Sequence, residues 1–210
     1  MRAVIFDMDG VIVDSEIVYM DYLLEFAQKK NPSVVMEQLN PMVGLTKKDS
    51  WTIMEQAISN GQTWDELRQE FIALDIYSQV DYRAIFRPEA LQTTKELRKR
   101  GYLVALASST GPKLIAKIIE VTGMRDQFDL IVSGGQFKQS KPNPEIYHYT
   151  AKTLGVLEEE CFVVEDSTVG IQAAKSAGMT VAAVLDDRFG FDQSLADYHV
   201  EKVSDILQYL

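Results

Sequence analysis

Residues 3–11, with the sequence AVIFDMDGV, place two aspartates directly after a short apolar run. Ala3–Phe6 is continuously apolar, which is typical of a strand buried on both faces of a sheet. Asp7 and Asp9 follow this run, and Gly10 allows the chain to turn away sharply. Two carboxylates at this spacing can converge on one metal ion or one substrate. A lone Asp-x-Asp is also common in acidic loops, so its meaning depends on what the rest of the chain supplies.

Four further apolar runs alternate with segments of helical period. The runs are Leu103–Ala107, Leu130–Val132, Phe162–Val164 and Thr180–Val184. The helical segments are Pro88–Arg100, Pro112–Val121, Pro144–Leu154 and Val169–Ala177. This alternation predicts an α/β fold with a Rossmann-like, doubly wound parallel sheet and right-handed crossovers. Val203–Leu210 is predicted to be a closing helix.

The interval from residue 15 to residue 85 breaks this alternation. It has helical patterns and no convincing buried strand; the patterns are Tyr19–Lys29, Lys48–Ser59 and Trp64–Tyr77. We therefore expect an inserted α-helical cap at 15–85 and an α/β core made of 1–14 and 86–210. The two connections, near Asp14–Ser15 and Ile85–Pro88, are candidate hinges.

Composition narrows the classes of function. The chain has 210 residues, 46% of them hydrophobic, which is enough for a sizeable core. Its formal charge is −10 and no Lys/Arg run offers a basic face, so we expect no nucleic-acid partner. Cys161 is the only cysteine, which excludes an intrachain disulfide and favours a reducing cytoplasm. No apolar stretch approaches the ~20 residues of a membrane span, and a monomer is the default expectation.

Three more polar clusters follow predicted strands. Ser108-Ser109-Thr110 comes after the second, Ser140-Lys141-Pro142 after the third and Glu165-Asp166 after the fourth. Each has an ordinary interpretation, because Ser or Thr before a helix also serves as an N-cap and most lysines are merely solvated. Two adjacent acids at the end of a buried strand are costly unless a cation compensates them. The carboxyl ends of parallel strands meet at one edge, where open α/β sheets bind ligands.

The four clusters, in this order, resemble the four sequence motifs of the haloacid dehalogenase-like hydrolase superfamily over essentially the whole chain. Three stretches are similar to its β-phosphoglucomutase-like branch of phosphatases and phosphohexomutases. They are FDMDGVIVDSE at 6–16, SKPNPEIY at 140–147 and VEDSTVGI at 164–171. In that branch a helical cap follows the first motif, in agreement with the interval at 15–85.

The resemblance implies a magnesium-dependent reaction through an aspartyl-phosphate. Asp7 would be the nucleophile, and Asp9 the acid to the leaving oxygen and the base to the incoming water or hydroxyl. Members that attack carbon halides lack the second aspartate, so Asp9 favours a phosphate substrate. Mg²⁺ would be held by Asp7, the backbone carbonyl of Asp9 and Asp166, with Glu165 assisting.

The same resemblance assigns the phosphate-binding groups. Ser108, with the neighbouring N–H groups of Ser109 and Thr110, would bind phosphoryl oxygens together with Lys141. Lys141 would serve the rate more than the fold, since its expected role is to bind charge on the substrate.

Substrate choice is implied to lie in the cap. Residues 44–47 resemble the cap loop that reaches over the active site in this branch, and Lys47 falls where sugar-phosphate mutases carry an arginine for the distal phosphate. A solvated lysine at the start of a helix explains Lys47 equally well. Tyr19 stands about where true β-phosphoglucomutases carry a histidine.

These departures favour a phosphatase of small phosphorylated metabolites, with a sugar phosphate as the expected substrate. β-Phosphoglucomutase activity is the alternative within the superfamily. The alternative from another class is a receiver-like protein that only accepts phosphate, against which the large insertion and Asp9 both count.

Overall fold

The computed structural model describes residues 1–43 and 45–210, which form two compact units. The α/β unit comprises Met1–Asp14 and Tyr82–Leu210. The helical unit comprises Ser15–Asp81, and is an insertion between the two segments of the α/β unit. Gly44, at the start of the loop compared above with a cap loop, lies outside the described residues.

The sheet of the α/β unit has six strands among the described residues. They are β1 Ala3–Phe6, β2 Leu103–Ser108, β3 Leu130–Ser133, β4 Cys161–Glu165, β5 Thr180–Val184 and β6 Tyr198–Val200. They lie in the order β3-β2-β1-β4-β5-β6, and each neighbouring pair is parallel. The chain starts in the centre, builds one side and then returns to build the other, which is the doubly wound topology. The predicted Rossmann-like parallel sheet is confirmed.

Nine α-helices are present in the described part of the chain. They are α1 Ser15–Lys30, α2 Met36–Leu39, α3 Lys47–Ile58, α4 Trp64–Ala73, α5 Ile76–Gln79, α6 Pro88–Lys99, α7 Pro112–Val121, α8 Glu145–Leu154 and α9 Thr168–Ser176. Local signals fix several ends: α6 and α7 start with proline, and Thr63 and Glu66 form a capping box at α4. No helix in the described ranges is both long and apolar enough to cross a bilayer.

The core explains why the strand sequences are continuous apolar runs. All four residues of β1 are fully buried, and Ala3 and Ile5 belong to a cluster that includes Tyr147 and Ala151 of α8. Both faces of the central strand are therefore covered, so alternate residues need not be polar.

The helical unit has an aromatic centre of its own. The ring of Phe71 lies 5.3 Å from that of Phe26 and 5.4 Å from that of Trp51. These three side chains are at most 9% exposed, so they form packed interior rather than surface.

Two elements near the C-terminus differ from the predictions. β6 was not expected, because Tyr198–Val200 is short and only Val200 is buried, so it lacks the apolar run of an inner strand. The expected closing helix is a 3₁₀-helix at Val203–Gln208, and Val203 and Ile206, three residues apart, are its buried positions.

Candidate active site

Strand register brings the acidic residues together at the carboxyl edge of the sheet. Phe6 pairs with Leu106 on one side and with Val164 on the other. Asp7 therefore stands level with Glu165, and its backbone N–H donates to the Val164 carbonyl at 2.9 Å. The backbone of β1 and β4 thus fixes the position of both carboxylates.

Lys141 reaches this edge from the loop between β3 and α8. Its ammonium donates to Asp7 Oδ1 at 2.7 Å, to Glu165 Oε1 at 2.7 Å and to the Ala107 carbonyl at 3.1 Å. It also lies 5.0 Å from the centre of the Tyr147 ring. The Lys141 side chain is only 4% exposed, so it is a buried bridge between two carboxylates and not a solvated lysine.

Glu165 is the anchor of this bridge. It is fully buried, and its Oε1 accepts from the Tyr147 hydroxyl at 2.9 Å as well as from Lys141. Its Oε2 accepts from the backbone N–H groups of Asp166 and Ser167 and from the Ser167 hydroxyl at 3.1 to 3.3 Å. Burial and the Glu165 charge raise the pKa of Tyr147 well above its ordinary value, so the hydroxyl stays a donor.

Asp166 completes a set of three acidic side chains. Ligand atoms of Asp7, Glu165 and Asp166 all lie within 4.8 Å of one another, and all three residues are buried. Gly10 packs against this set: a Cβ there would lie 1.9 Å from Asp166 Oδ2, and its φ of +73° is one that glycine adopts freely. Any other residue at this position would be strained and would displace the Asp166 side chain.

The charges of this cluster do not balance. Three ionised carboxylates and Lys141 sum to −2 (−3 + 1) in a site almost without solvent. Burial is the main cause that raises the pKa of Asp7 to about 8, and the charges of Glu165 and Asp9 add to it although Lys141 opposes it. Burial also acts on Glu165, but Lys141 and the hydrogen bonds hold the pKa of that carboxyl below its ordinary range.

A divalent cation fits this donor set. Carboxylate oxygens are the ligands that Mg²⁺ prefers, and a charge of +2 would cancel the excess of −2. The residues that could hold it are Asp7 and Asp166, with Glu165 beside them but already bonded through both oxygens.

The loop after β2 provides hydroxyl groups at the same edge. The Thr110 hydroxyl donates to Asp9 Oδ2 at 2.8 Å, and the Thr110 N–H donates to Ser108 Oγ at 3.1 Å. Ser108 is fully buried, whereas Ser109 is exposed. None of the three is the N-cap of α7, which is Gly111. The contact of Thr110 with Asp9 therefore has no explanation in helix capping.

The remaining expected site residue belongs to the helical unit. Lys47 is exposed at the first position of α3, where the Thr46 side chain caps the helix by accepting from the Asp49 N–H. Sequence reasoning missed the hydrogen bond from Tyr147 to Glu165, because nothing in the local pattern pairs residues 18 positions apart.

The loop after β5 also differs from a simple exposed turn. Arg188 donates to both oxygens of Asp14, at 3.0 and 2.7 Å, and to Asp186. Asp186 is 5% exposed at its side chain. This ion pair ties the end of the first segment of the α/β unit to a loop 174 residues away.

Comparisons with known proteins agree with this geometry. A family model described as haloacid dehalogenase-like hydrolase matches residues 4–184. The chain is 30% identical over 181 residues to a phosphorylated carbohydrates phosphatase of Thermotoga maritima, covering 85% of this chain and 82% of that protein. It is 33% identical over 188 residues to SUPPRESSOR OF QUENCHING 1, a chloroplastic protein of Arabidopsis thaliana, covering 88% of this chain but only 18% of that protein. The crystal structure of β-phosphoglucomutase from Clostridium difficile superposes with a TM-score of 0.77 at 22% identity, covering 100% of this chain and 95% of that one, and supports the fold.

Proposed function

Because this chain belongs to the haloacid dehalogenase-like hydrolase family, we propose that it is a Mg²⁺-dependent phosphatase of sugar phosphates that acts through an aspartyl-phosphate on Asp7. The observation that carries the proposal is the buried cluster of Asp7, Lys141, Glu165 and Asp166, whose charge is −2 when all three carboxylates are ionised. A site of this kind accepts a divalent cation and, next to it, a dianionic phosphate ester.

In the first step, Asp7 attacks phosphorus, the new O–P bond forms and the bond from phosphorus to the sugar oxygen breaks. Asp9 gives its proton to the departing oxygen, which leaves as a neutral hydroxyl. In the second step, Asp9 takes a proton from water as the water attacks phosphorus, and the bond to Asp7 breaks with release of phosphate. Bound Mg²⁺ would offset the repulsion between the anionic nucleophile and the anionic substrate.

The other residues of the site bind the phosphoryl group and orient the Asp7 carboxylate. Lys141 fixes the Asp7 carboxylate through Oδ1 and places a positive charge where charge on the phosphoryl oxygens must be neutralised. Glu165 holds Lys141 in that position. We assign the phosphoryl oxygens also to the Ser108 hydroxyl and to the N–H group of Ser109, whereas the Thr110 N–H already donates to Ser108 Oγ.

The sugar part of the substrate is supported by the relative that acts on phosphorylated carbohydrates. We assign substrate choice to the helical unit, which contains a cavity of about 190 Å³ lined by Glu16, Tyr19 and Trp51 among others. Of its described lining residues, Glu16 alone carries a full charge. Hydrolysis is proposed over a mutase because Tyr19 and Lys47 both depart from the residues expected of a β-phosphoglucomutase. Lys47 remains the candidate for any contact with a distal anion.

Release of phosphate from a panel of phosphorylated sugars, with Mg²⁺ and with a chelator, tests the proposal. Asp7→Asn is compared with Asp126→Asn, which makes the same chemical change at an exposed position of the α/β unit. We expect hydrolysis of at least one sugar phosphate, loss with chelator, loss in Asp7→Asn and full activity in Asp126→Asn.

Two other outcomes would replace the proposal. Conversion of β-glucose 1-phosphate to glucose 6-phosphate with a bisphosphate primer, without phosphate release, would establish a mutase. A phosphorylated Asp7 that persists without turnover would establish a receiver-like protein.

A further inference from the structure

Thr110 links two loops that the sequence separates by about a hundred residues. Its hydroxyl, at the end of β2, donates to Oδ2 of Asp9, in the loop after β1, at 2.8 Å. We propose that Thr110 is the positioning residue for the proton-transferring carboxyl of Asp9, and not a ligand of the phosphate. This inference rests on the proposed function, because it assigns a task within that reaction.

The backbone of Thr110 is held on both sides, so its hydroxyl has a defined origin. Its N–H donates to Ser108 Oγ at 3.1 Å, and its carbonyl accepts from the Ser133 hydroxyl at 2.7 Å. Ser108 and Ser133 are themselves paired in the register of β2 and β3. A side chain supported by two strands can hold a partner to the small tolerance that catalysis needs.

Close packing against the chain after β3 also supports the loop that contains Thr110. A Cβ added to Gly134 would lie 2.9 Å from the Cα of Ser109, so the chain after β3 touches the loop after β2 without an intervening side chain. Gly135 also donates its N–H to Ser133 Oγ at 3.3 Å, which orients the hydroxyl that bonds Thr110. The close approach at Gly134 therefore allows the support that Ser133 gives.

The Asp9 carboxyl needs the Thr110 hydroxyl because proton transfer depends on the orientation of the carboxyl. A short side chain such as that of Asp9 can rotate about two bonds, and a misplaced acid loses most of its benefit because proton transfer needs hydrogen-bond contact. The donor on Oδ2 selects one orientation. Thr110 cannot at once be a donor to Asp9 and to a phosphoryl oxygen, since a hydroxyl has one proton.

The test compares Thr110→Val, which keeps the shape and removes the hydroxyl, with Thr110→Ser, which keeps the hydroxyl. Each is assayed on a sugar phosphate, whose alkoxide must be protonated as it leaves, and on p-nitrophenyl phosphate, whose phenolate leaves without a proton. The quantity compared is kcat/KM, which reports transfer to Asp7 rather than the later hydrolysis.

We expect Thr110→Val to lower kcat/KM about tenfold or more on the sugar phosphate, part of the ~10²–10⁴-fold effect of a general acid. The fall on p-nitrophenyl phosphate should be much smaller, and Thr110→Ser should recover the sugar phosphate activity. Thr122→Val is the matched control, since it removes a buried hydroxyl that donates to the Ile118 carbonyl at 2.7 Å in the same unit. Thr122→Val should leave the ratio of kcat/KM on the sugar phosphate to kcat/KM on p-nitrophenyl phosphate unchanged.

The ways to fail are distinguishable. Equal losses on both substrates in Thr110→Val, with a raised KM, would overturn the inference and make Thr110 a phosphate ligand. A second outcome is that Thr110→Val leaves kcat/KM unchanged on both substrates, while Asp9→Asn loses far more kcat/KM on the sugar phosphate than on p-nitrophenyl phosphate. That result would overturn the inference and leave the proposed function intact. Hydrolysis of neither substrate by the unaltered protein would overturn both.

Discussion

Replacing Lys141 by alanine tests whether the charge cluster is as buried and as tightly coupled as the structure indicates. The change removes an ammonium that lies 2.7 Å from Asp7 and 2.7 Å from Glu165. Sequence reasoning expected a loss of rate more than of fold. With the side chain 4% exposed, a loss of stability is expected as well.

The magnitude depends on which carboxylates remain charged. Removing one partner of a buried ion pair typically costs about 3–5 kcal/mol. At pH 7 without metal, Asp7 is mostly protonated because its pKa is about 8, so the carboxylate that loses its bonded cation is that of Glu165. Tyr147 and the Ser167 hydroxyl still bond that carboxylate. The loss should therefore lie near the lower limit, about 3 kcal/mol at pH 7.

The pH dependence has a definite sign. Because the folded-state pKa of Asp7 is raised from 3.8 to about 8, the folded protein binds more protons than the unfolded one between these values. The free energy of unfolding of the metal-free protein should therefore decrease as the pH rises through this window. In Lys141→Ala the opposing influence of the ammonium is gone, so the decrease should continue above pH 8 and the difference from the unaltered protein should widen.

Urea unfolding with a chelator, at pH 7 and pH 9, measures these free energies. Circular dichroism is the suitable signal, because both tryptophans, Trp51 and Trp64, lie in the helical unit and report on that unit. Lys138→Ala, at an exposed lysine of the same loop, is the matched control. Adding Asp7→Asn to Lys141→Ala should remove the widening at pH 9.

A loss below about 1 kcal/mol at both pH values, with an unchanged slope against urea, would refute this reasoning. It would mean that water reaches the cluster and compensates the carboxylates. A loss that does not grow with pH would show instead that Asp7 does not carry the raised pKa.

Three further outcomes follow from the site and its surroundings. Mg²⁺ must displace the proton of Asp7, so its apparent affinity, measured by calorimetry, should fall about tenfold for each pH unit below about 8; a constant affinity would contradict this. Gly10→Ala should lower the free energy of unfolding by at least about 1–2 kcal/mol through backbone strain, and it should also weaken Mg²⁺ binding because the new Cβ displaces Asp166. Gly123→Ala, at a similar φ with nothing within 4 Å of the new Cβ, should lower the free energy of unfolding without affecting Mg²⁺ binding. Arg188→Ala should lower the free energy of unfolding by no more than about 1 kcal/mol, because the side chain is 38% exposed and solvent screens its ion pairs; a loss above about 3 kcal/mol in urea unfolding would contradict this.

The strands could be predicted where burial on both faces leaves a continuous apolar run. β1 and β5 have the predicted bounds, since each is buried over nearly its whole length. The sequence did not predict β6, because this strand is defined by its pairing with β5 and two of its three residues, Tyr198 and His199, are not buried. Backbone pairing leaves no signature in the sequence of one short edge strand, whereas burial does.

The polar clusters could be predicted because strand ends in a parallel sheet converge on one edge. Their mutual bonding could not. The hydroxyl of Thr110 donates to Asp9, and Arg188 donates to Asp14, and neither contact was predicted. Both contacts depend on where two loops of different strands approach each other, and residue types at single positions do not encode that distance.

The excess negative charge also indicates why the buried cluster is present in the protein. Replacing a buried ion pair by apolar residues of similar volume is often neutral or stabilising, so a fold alone gains little from Lys141 and Glu165, and it loses from the two further carboxylates, Asp7 and Asp166, beside them. Asp7 meets this cost through a raised pKa, which keeps it protonated in the metal-free protein at pH 7. The proposed function gives such a cluster a purpose, because its donor set matches a divalent cation in charge and ligand type. That distinguishes it from the group formed by Arg87, Arg188, Asp14 and Asp186, whose charges sum to zero within the protein itself.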